Sequence, residues 1–203
     1  MLKVGLTGGI GSGKTIVAQI FNAIDIPVFC ADAEAKKAYA DSRVREQIIN
    51  IFGAEIYINH QTINRQLLAS KIFADKSLLI KVNNIIHPLV HQQFTEWLTL
   101  QKSPYIIHEA AILIESGFYK MMDKIIIVNA MQDLRIARIM ARDKQSPEKI
   151  MQRIKNQMSD EERNKYADFI INNNENIPLL PQILEINNKL KDLEKNMNEI
   201  DKL

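Results

Sequence analysis

Apolar residues near the start of the chain alternate between short continuous runs and helical spacing. Residues 2–7 form an apolar run that ends in glycines, which predicts a buried strand. Residues 14–24 carry apolar side chains at helical spacing, residues 27–30 form a second short run, and residues 31–40 are helical in pattern. The chain therefore opens as strand, glycine loop, helix and strand, an order that predicts a parallel sheet.

Residues 41–103 are mostly helical in pattern and contain few strand signals. Asp75 is placed to cap a long helix, and Pro88 should interrupt or restart that helix. Because this stretch lies between strands of one sheet, we expect an inserted helical cap over the strand ends.

The second half of the chain returns to mixed strand and helix patterns. Strands are predicted at residues 105–109, 124–128 and 169–171, and helices at residues 131–143 and 178–195, the latter on the surface. Further helix starts are predicted at Ser146-Pro147-Glu148 and at the capping box of Ser159 and Glu162. The polar residues 194–203 are expected to fray.

Composition excludes several classes of protein. The 203 residues are 46% hydrophobic and 25% charged, and the formal net charge is +2, which gives no reason to expect a nucleic-acid or membrane partner. Cys30 is the single cysteine, so the chain has no internal disulfide and no cysteine cluster for zinc. Signal-peptide and membrane-span patterns are absent, and we expect a cytoplasmic protein.

The loop after the first strand carries the most specific motif. Residues 8–15 read GGIGSGKT and fit the P-loop pattern G-x-x-x-x-G-K-[ST] at every fixed position, between a predicted strand and a predicted helix. Glycines let backbone N–H groups point at phosphate oxygens, and the helix aims its positive end at the same place. Lys14 is expected to reach the β- and γ-phosphates, and the Thr15 hydroxyl to ligate Mg²⁺ directly. The expected ATP-binding residues of this segment are Gly8, Gly9, Gly11, Ser12, Gly13, Lys14, Thr15 and Ile16.

Other interpretations of the loop differ in how well they fit. A glycine-rich turn without a ligand is the structural alternative. An NAD-binding loop lacks support because the third glycine of its motif is replaced by Lys14. A GTPase would need Asp-x-x-Gly, but Asn50 and Ile114 stand three residues before the later glycines Gly53 and Gly117. The guanine-recognition motif Asn-Lys-x-Asp is also absent, so a kinase for a small metabolite is favoured.

Two further features bear on catalysis. Asp32 follows the second strand, at the sheet edge where open α/β sheets bind ligands. It could act as the base for an acceptor hydroxyl and hold a Mg²⁺-bound water, or it could be the N-cap of the next helix; the sequence weighs these two roles evenly. Arg135, Arg138 and Arg142 share one helix face, which predicts an anion opposite them. The alternative is a solvated face paired with Asp133 and Asp143.

These motifs, taken in order, resemble the dephospho-coenzyme A kinase family over residues 2–185. Beyond the P-loop, the stretches that carry the resemblance are Ala31-Asp32-Ala33, Asn64-Arg65 with Leu67-Leu68, Ile86-His87-Pro88-Leu89, Ala110 to Gly117 with Glu115, Arg138 to Asp143, and Ala167 to Asn173. The family often has a proline where this chain has Ala111, which leaves the role of Glu109 open. Cys30 replaces an acid or polar residue of many members and is expected only to pack.

The resemblance implies an α/β fold with a P-loop NTPase-type parallel sheet flanked by helices. It implies a core at residues 1–40, 104–130 and 166–188, a helical substrate domain at residues 41–103 and a lid at residues 131–165, followed by the polar tail at residues 194–203. The implied reaction transfers phosphate from ATP to the ribose 3′-hydroxyl of dephospho-coenzyme A, the last step of coenzyme A synthesis.

The resemblance also implies roles for individual residues. Asp32 matches the catalytic base, and Arg138 and Arg142 match lid residues that face the ATP phosphates. Asn173 lies where the family contacts adenine, and the acceptor-binding residues are Asp32, Arg65, His87 and Glu115. Open alternatives are a kinase for a nucleoside or nucleotide and a regulatory nucleotide-binding module without turnover. We expect no nucleic-acid partner and a monomer or weak homo-oligomer.

Overall fold

The structure is a computed structural model that describes residues 1–200, except for the side chains of Phe73, Lys76, Asn198 and Ile200. The chain folds into two compact units. The core unit consists of Met1–Cys30 and Gln101–Leu203, and the helical unit consists of Ala31–Leu100.

A five-stranded parallel sheet forms the centre of the core unit. The strands are β1 (Leu2–Thr7), β2 (Val28–Cys30), β3 (Tyr105–Glu109), β4 (Lys124–Asn129) and β5 (Phe169–Asn172). Their order across the sheet is β2-β3-β1-β4-β5. All five predicted strands are confirmed, with bounds that differ by at most one residue. Because β1 is the middle strand, the loop that follows it emerges at the centre of the sheet edge.

The helices follow the predicted pattern closely. They are α1 (Lys14–Ala23), α2 (Ala31–Ala38), α3 (Ser42–Phe52), α4 (Arg65–Ala74), α5 (Lys76–Thr99), α6 (Gln132–Asp143), α7 (Pro147–Lys155), α8 (Asp160–Asn164) and α9 (Leu179–Ile200). Short 3₁₀ helices cover Ala54–Ile56 and Phe118–Met121.

The core packs around strands that are buried on both faces, as expected for a parallel sheet with helices on either side. Every residue of β3 is buried, as are Leu2, Val4 and Leu6 of β1. α1 adds Val17 and Phe21 to the same apolar cluster. The alternation of short apolar runs with helical spacing therefore indicated the right elements, because the central strands β1, β3 and β4 are mostly buried, whereas Ile170 and Asn172 of the edge strand β5 are exposed.

Helix α9 differs from the predicted surface helix with a fraying tail. Its residues Ile183, Ile186 and Leu190 are buried in the main apolar cluster, so only part of the helix surface faces solvent. The helix also continues to Ile200, past residue 194 where the polar tail was predicted to begin. Spacing of apolar residues every three or four positions continues far enough to anchor the helix to the sheet. The last three residues of the predicted tail, 201–203, lie outside the described residues.

Several helix starts confirm the sequence predictions. The Asp75 carboxylate caps α5 by accepting a hydrogen bond from Ser77 N–H at 2.8 Å. Ser159 and Glu162 form the predicted reciprocal capping box at the start of α8. Ser146 precedes Pro147, the first residue of α7. These starts were predictable because a cap depends on residues within one helical turn.

The prediction for Pro88 was wrong. Helix α5 runs through Pro88 for 24 residues without a break, although proline removes one backbone hydrogen bond and crowds the preceding turn. Val82, Ile86, Val90 and Phe94 recur every four residues on both sides of the proline, and all four are buried. Continuous packing of this face, together with the contacts of α5 with α2, α3 and α4, outweighs the local cost.

Across residues 1–200, none of the helices combines the length and the apolar character needed to cross a membrane.

Candidate active site

The glycine-rich loop joins the end of β1 directly to the first turn of α1. Gly13 is the N-cap residue of α1 with φ 94°, and its carbonyl accepts hydrogen bonds from Ile16 and Val17 N–H at 3.0 and 3.2 Å. The first N–H groups of a helix have no partner within the helix and carry its positive end. The loop therefore leads into a helix start of the kind that binds phosphate.

Two side chains from the predicted lid segment, residues 131–165, hold the tip of this loop. The Ile10 N–H donates a hydrogen bond to Gln157 Oε1 at 2.8 Å. The Ile10 carbonyl accepts one from Arg135 Nε, also at 2.8 Å. Both backbone groups of the tip residue are thus engaged by side chains, which restricts the directions in which the neighbouring amides point.

Asn173 holds the other end of the loop. Its side-chain Nδ2 donates to the Ser12 carbonyl at 2.7 Å, and the residue is 8% exposed. Its N–H donates to Asn129 O at 2.8 Å. A Cβ atom at Gly13 would clash with this amide. Glycine is therefore required at this position for two reasons, the close approach of Asn173 and the positive φ. Asn173 was predicted to lie near the adenine, and that role stays a prediction; the structure places its side chain against the phosphate loop.

The three arginines of α6 have three different environments. Arg135 is buried, with 3% exposure, and pairs with the Asp160 carboxylate at 2.7 Å. Arg138 Nη2 donates to the Asn173 carbonyl at 3.0 Å. Its Nη1 is buried and has no protein acceptor within the described residues. Arg142 is exposed and forms a two-pronged hydrogen bond with the Asp143 carboxylate, at 2.7 and 3.0 Å.

These environments revise the expectation of one shared anion opposite the arginine face. The anion facing Arg135 belongs to the protein, since it is Asp160 on α8. Arg142 takes the alternative pairing with Asp143, and the hydrogen bond from Arg142 lowers the pKa of the Asp143 carboxyl. Of these three arginines, only Arg138 presents a buried cationic N–H group without a protein partner in the part of the chain that the structure describes. Helical spacing placed the three residues on one face, but their distances from other segments decide what each one contacts.

The remaining predicted residues of the loop and of α1 offer polar groups at the helix start. Lys14 is half-buried and Thr15 and Ile16 are exposed, as the first three residues of α1. Ser12 is 1% exposed, and its Oγ lacks a protein hydrogen-bond partner in the described part of the chain. A cationic amine, a hydroxyl and the helix amides together can bind a polyphosphate and its metal ion.

The end of β3 contributes acidic residues near the same strand ends. Glu109 is 6% exposed and lies in register with Leu6 of β1 and Cys30 of β2. Cys30 is half-buried at the end of β2. Glu115, predicted to bind the acceptor, is exposed in the turns that follow β3. Its role stays a prediction.

The helical unit carries the other three predicted site residues on three helices. Asp32 is half-buried and is the second residue of α2, so it lies inside the first turn and not at the capping position before it. Arg65 is exposed at the start of α4, which Asn64 caps by accepting from Leu67 N–H at 3.1 Å. His87 is half-buried in α5, and burial lowers its pKa.

Within this unit the structure relates Arg65 to one aromatic residue. Burial raises the pKa of Tyr39, and the positive charge of Arg65 partly offsets that rise. Helices α2 and α5 pack against each other, as do α4 and α5. The roles of Asp32, Arg65 and His87 in catalysis and acceptor binding stay predictions.

No group of three or more His, Cys, Asp or Glu residues that could hold a metal occurs within residues 1–200. A magnesium ion that binds together with a nucleotide needs few protein ligands, because Mg²⁺ keeps several waters and takes most other ligands from the phosphates. The exposed hydroxyl of Thr15 in the first turn of α1 is a hard oxygen ligand of the right kind. The residues present therefore fit a Mg²⁺ ion that arrives with its nucleotide.

Sequence reasoning missed two residues that hold the loop, Gln157 and the buried Arg135. Arg135 stood out in the sequence only as one of three similar arginines, and nothing near Gln157 marks it as a partner of Ile10. Their contacts with Ile10 span 125 and 147 positions. A local motif carries no signal for such contacts.

A parallel sheet whose central strand leads through this loop into a helix defines a P-loop nucleotide-binding fold, the class to which the P-loop kinases belong. A solved shikimate kinase from Acinetobacter baumannii shares this fold, with TM-score 0.50 and 14% identity over 98% of this chain and 92% of that one.

Within that class, the chain belongs to the dephospho-CoA kinase family, because the family model matches residues 2–178. It is 43% identical to a dephospho-CoA kinase of Bacteroides fragilis over 91% of both chains. It is 38% identical to the Porphyromonas gingivalis protein of that name over 92% of this chain and 93% of the relative.

Two solved structures share the fold of this chain over most of its length. A dephospho-CoA kinase structure from Campylobacter jejuni has TM-score 0.69 and 26% identity, over 94% of this chain and 97% of that one. A structure from Thermus thermophilus has TM-score 0.82 and 29% identity, over 91% and 95% of the two chains. The family predicted from the motifs is confirmed.

Proposed function

We propose that the protein transfers the γ-phosphoryl group of ATP to the ribose 3′-hydroxyl of dephospho-coenzyme A and so forms coenzyme A. The observation that carries this proposal is the phosphate loop between β1 and α1, held in place by Arg135, Gln157 and Asn173, in a chain of this kinase family. The product, coenzyme A, makes this the last step of its synthesis.

The loop and helix α1 bind the nucleotide in this proposal. Backbone N–H groups of the loop and of the first turn of α1, other than those already bonded to Gln157, Gly9 and Gly13, donate hydrogen bonds to the phosphate oxygens, and the Lys14 amine neutralises charge on the β- and γ-phosphates. The Thr15 hydroxyl ligates Mg²⁺, which when bound neutralises charge on the phosphates during transfer. Asn173 lies near the adenine and also fixes the Ser12 carbonyl, so one residue serves the nucleotide at two places.

Arg138 and Arg142 are proposed to stabilise the moving phosphoryl group. Support comes from Arg138, whose buried Nη1 lacks an acceptor among the described residues while Nη2 is held by the Asn173 carbonyl. A buried cationic donor without a partner is costly, and a phosphate oxygen is the ligand that would satisfy it. Arg142 would exchange its exposed pairing with Asp143 for the nucleotide.

The acceptor is proposed to be bound by Arg65, His87 and Glu115 and activated by Asp32. The Asp32 carboxylate would take the proton from the 3′-hydroxyl as that oxygen attacks phosphorus, and it would also hold a Mg²⁺-bound water. Arg65, exposed at the start of α4, has the geometry to hold a phosphate of the acceptor through two N–H groups.

An acceptor panel tests the proposed function. Purified protein is given ATP and Mg²⁺ with dephospho-coenzyme A, a nucleoside, a nucleotide or no acceptor, and ADP formation is measured. We expect ADP only with dephospho-coenzyme A. ADP formation with nucleosides would favour the alternative kinase, and nucleotide binding without any ADP would favour a regulatory module.

The catalytic role of Asp32 has its own test. Asp32→Asn should lower kcat by roughly 100-fold or more while ATP binding is retained. Glu34→Gln is the matched control, since Glu34 is the other acidic residue in the first turn of α2 and has no role in the proposal. Near-normal turnover of Asp32→Asn would show that another group activates the hydroxyl.

The wider expectations of a cytoplasmic location, no nucleic-acid partner and a monomer or weak homo-oligomer stay predictions.

A further inference from the structure

Two buried arginines share one carboxylate behind the phosphate loop. Arg135 Nη1 donates to Asp160 Oδ2 at 2.7 Å, and Arg163 Nη1 donates to Asp160 Oδ1 at 2.6 Å. The arginines are 3% and 1% exposed. In the described part of the chain, the ion pairs of both guanidinium groups converge on this carboxylate. This arginine cluster, Arg135 with Asp160 and Arg163, therefore carries two positive charges and one negative charge.

The cluster touches the loop through Arg135. Arg135 Nε donates to the Ile10 carbonyl at 2.8 Å. Its guanidinium also occupies the space that a Cβ atom at Gly9 would need, so the glycine at this position lets the charged group reach the loop backbone. Arg163 is held one step further back, where its Nη2 donates to the Met158 carbonyl at 2.6 Å.

The guanidinium groups of the cluster are buried, whereas the side chain of the shared Asp160 is 42% exposed. Burial of an ion costs free energy unless its charge is compensated. Accordingly, the pKa of Arg135 is lowered, chiefly by burial and further by Arg163, although Asp160 opposes the shift. A second carboxylate would neutralise the cluster, and none pairs with it in the described residues. A polyphosphate on the other side of the loop would supply the missing negative charge.

We propose that Arg135 is a positioning residue of the phosphate loop and that the arginine cluster adds a buried positive charge to the attraction between the loop and nucleotide phosphates. Arg135 fixes the Ile10 carbonyl and thereby the direction of the following amides. Its charge acts through the loop backbone and not by direct contact with ATP. This inference rests on the proposed function only in that the loop binds nucleotide phosphates.

If the charge of Arg135 attracts the nucleotide, the loss of affinity in an Arg135 variant should increase with the number of phosphates on the nucleotide. Dissociation constants for AMP, ADP and ATP are measured by titration calorimetry for the native protein, Arg135→Gln and Arg135→Lys. Arg135→Gln should weaken ATP binding by roughly tenfold or more, the scale of a lost charged hydrogen bond, with smaller losses for ADP and the smallest for AMP. Arg135→Lys keeps the charge, so it should restore most of this dependence on phosphate number.

Arg43→Gln is the matched control, because it removes one arginine whose side chain is 72% exposed in the helical unit. It should leave all three dissociation constants unchanged. Equal losses for AMP, ADP and ATP in Arg135→Gln would overturn the electrostatic part of the proposal. Unchanged ATP binding in a folded Arg135→Gln, checked by circular dichroism, would overturn it entirely.

If Arg135→Gln does not fold because the ion pair with Asp160 is lost, Arg135→Lys tests the positioning role of Arg135 instead. Arg135→Lys loses the planar group that reaches Ile10 and Asp160 together, so a several-fold loss of ATP affinity is expected. No loss would contradict the positioning role. The acceptor panel fails or succeeds independently of this experiment, since nucleotide binding is measured here without any acceptor.

Discussion

The core unit, which carries the phosphate loop, and the helical unit, which carries Asp32, Arg65 and His87, are built in different ways. In the core unit, side chains from distant positions clamp the backbone of the phosphate loop at Ile10 and Ser12. In the helical unit, the predicted residues Asp32, Arg65 and His87 project from three separate helices and are exposed or half-buried. Among the described residues of that unit, the buried ones are apolar.

The difference follows from what each unit is proposed to recognise. A phosphate tail is bound by backbone N–H groups, whose directions are useful only if the backbone itself is fixed before the ligand arrives. The acceptor is proposed to be bound by long side chains, which can rotate to meet it. The side-chain hydrogen bonds that hold the backbone are therefore concentrated in the loop whose N–H groups are proposed to bind phosphate. The following experiments test this contrast.

Loss of Lys14 should have the largest effect. Lys14→Ala removes the amine that neutralises the β- and γ-phosphates, and kcat/KM should fall by roughly 100- to 1000-fold. Steady-state kinetics with ATP as the varied substrate measure the change. Lys189→Ala on α9, where the amine pairs with Glu185, is the control for loss of a lysine. Unchanged kinetics of Lys14→Ala would remove the phosphate loop from the mechanism.

Gly13→Ala should have the next largest effect, on both stability and ATP affinity. The added Cβ meets the Asn173 amide, and the backbone has φ 94°, so stability should fall by about 1–3 kcal/mol and ATP affinity should fall with it. Thermal melts and calorimetry measure the two effects.

A matched glycine separates strain from the clash with Asn173. Gly117 also has positive φ, at 77°, but a Cβ atom there would meet nothing within 4 Å. Gly117→Ala should therefore show the backbone cost alone and leave ATP affinity intact. Equal effects of the two variants would mean that the contact between Asn173 and the loop does not matter.

A single methyl group deleted from the helical unit should affect stability without affecting nucleotide binding. Ile48 on α3 is fully buried, and Ile48→Val should cost about 0.5–1.5 kcal/mol. Its counterpart in the core unit is Ile126→Val on β4, at an equally buried position. Thermal melts with and without ATP compare them. A weaker ATP affinity in Ile48→Val would contradict the proposal that nucleotide binding depends on the core unit and not on packing within the helical unit.

The smallest expected effect is a pH dependence from His87. Burial lowers the pKa of His87 below its ordinary value of 6.5, so the unfolded chain takes up a proton at this residue at a higher pH than the folded chain. Its contribution to stability is complete above pH 6.5 and is lost as the pH falls from 6.5 toward the lowered pKa. His87→Gln should therefore show a smaller drop in Tm between pH 7.5 and 5.5.

His60→Gln is the control for this pH experiment, because His60 is an exposed histidine of the same unit. Its drop in Tm over that pH range should equal that of the native protein. A drop in His87→Gln as large as the native one would show that burial of His87 does not contribute.

The sequence alone predicted most of the fold because most of its signals are local. The five strands, the caps at Asp75 and Ser159 and the P-loop all depend on residues within a few positions of each other. Pro88 was misjudged because its local cost is outweighed by packing on the buried face of α5. Helix α9 was misjudged for a similar reason, since burial of Ile183 and Leu190 depends on the sheet beneath them.

By itself, therefore, the sequence determined the order of the elements, the position of the phosphate loop and the family. Only the tertiary structure decided which side chains hold that loop. Arg135, Gln157 and Asn173 reach it across 125, 147 and 161 positions, and the three arginines of α6 have three different partners. Periodicity and motifs report geometry within one or two turns of chain, whereas contacts over such separations exist only once the sheet has brought the segments together.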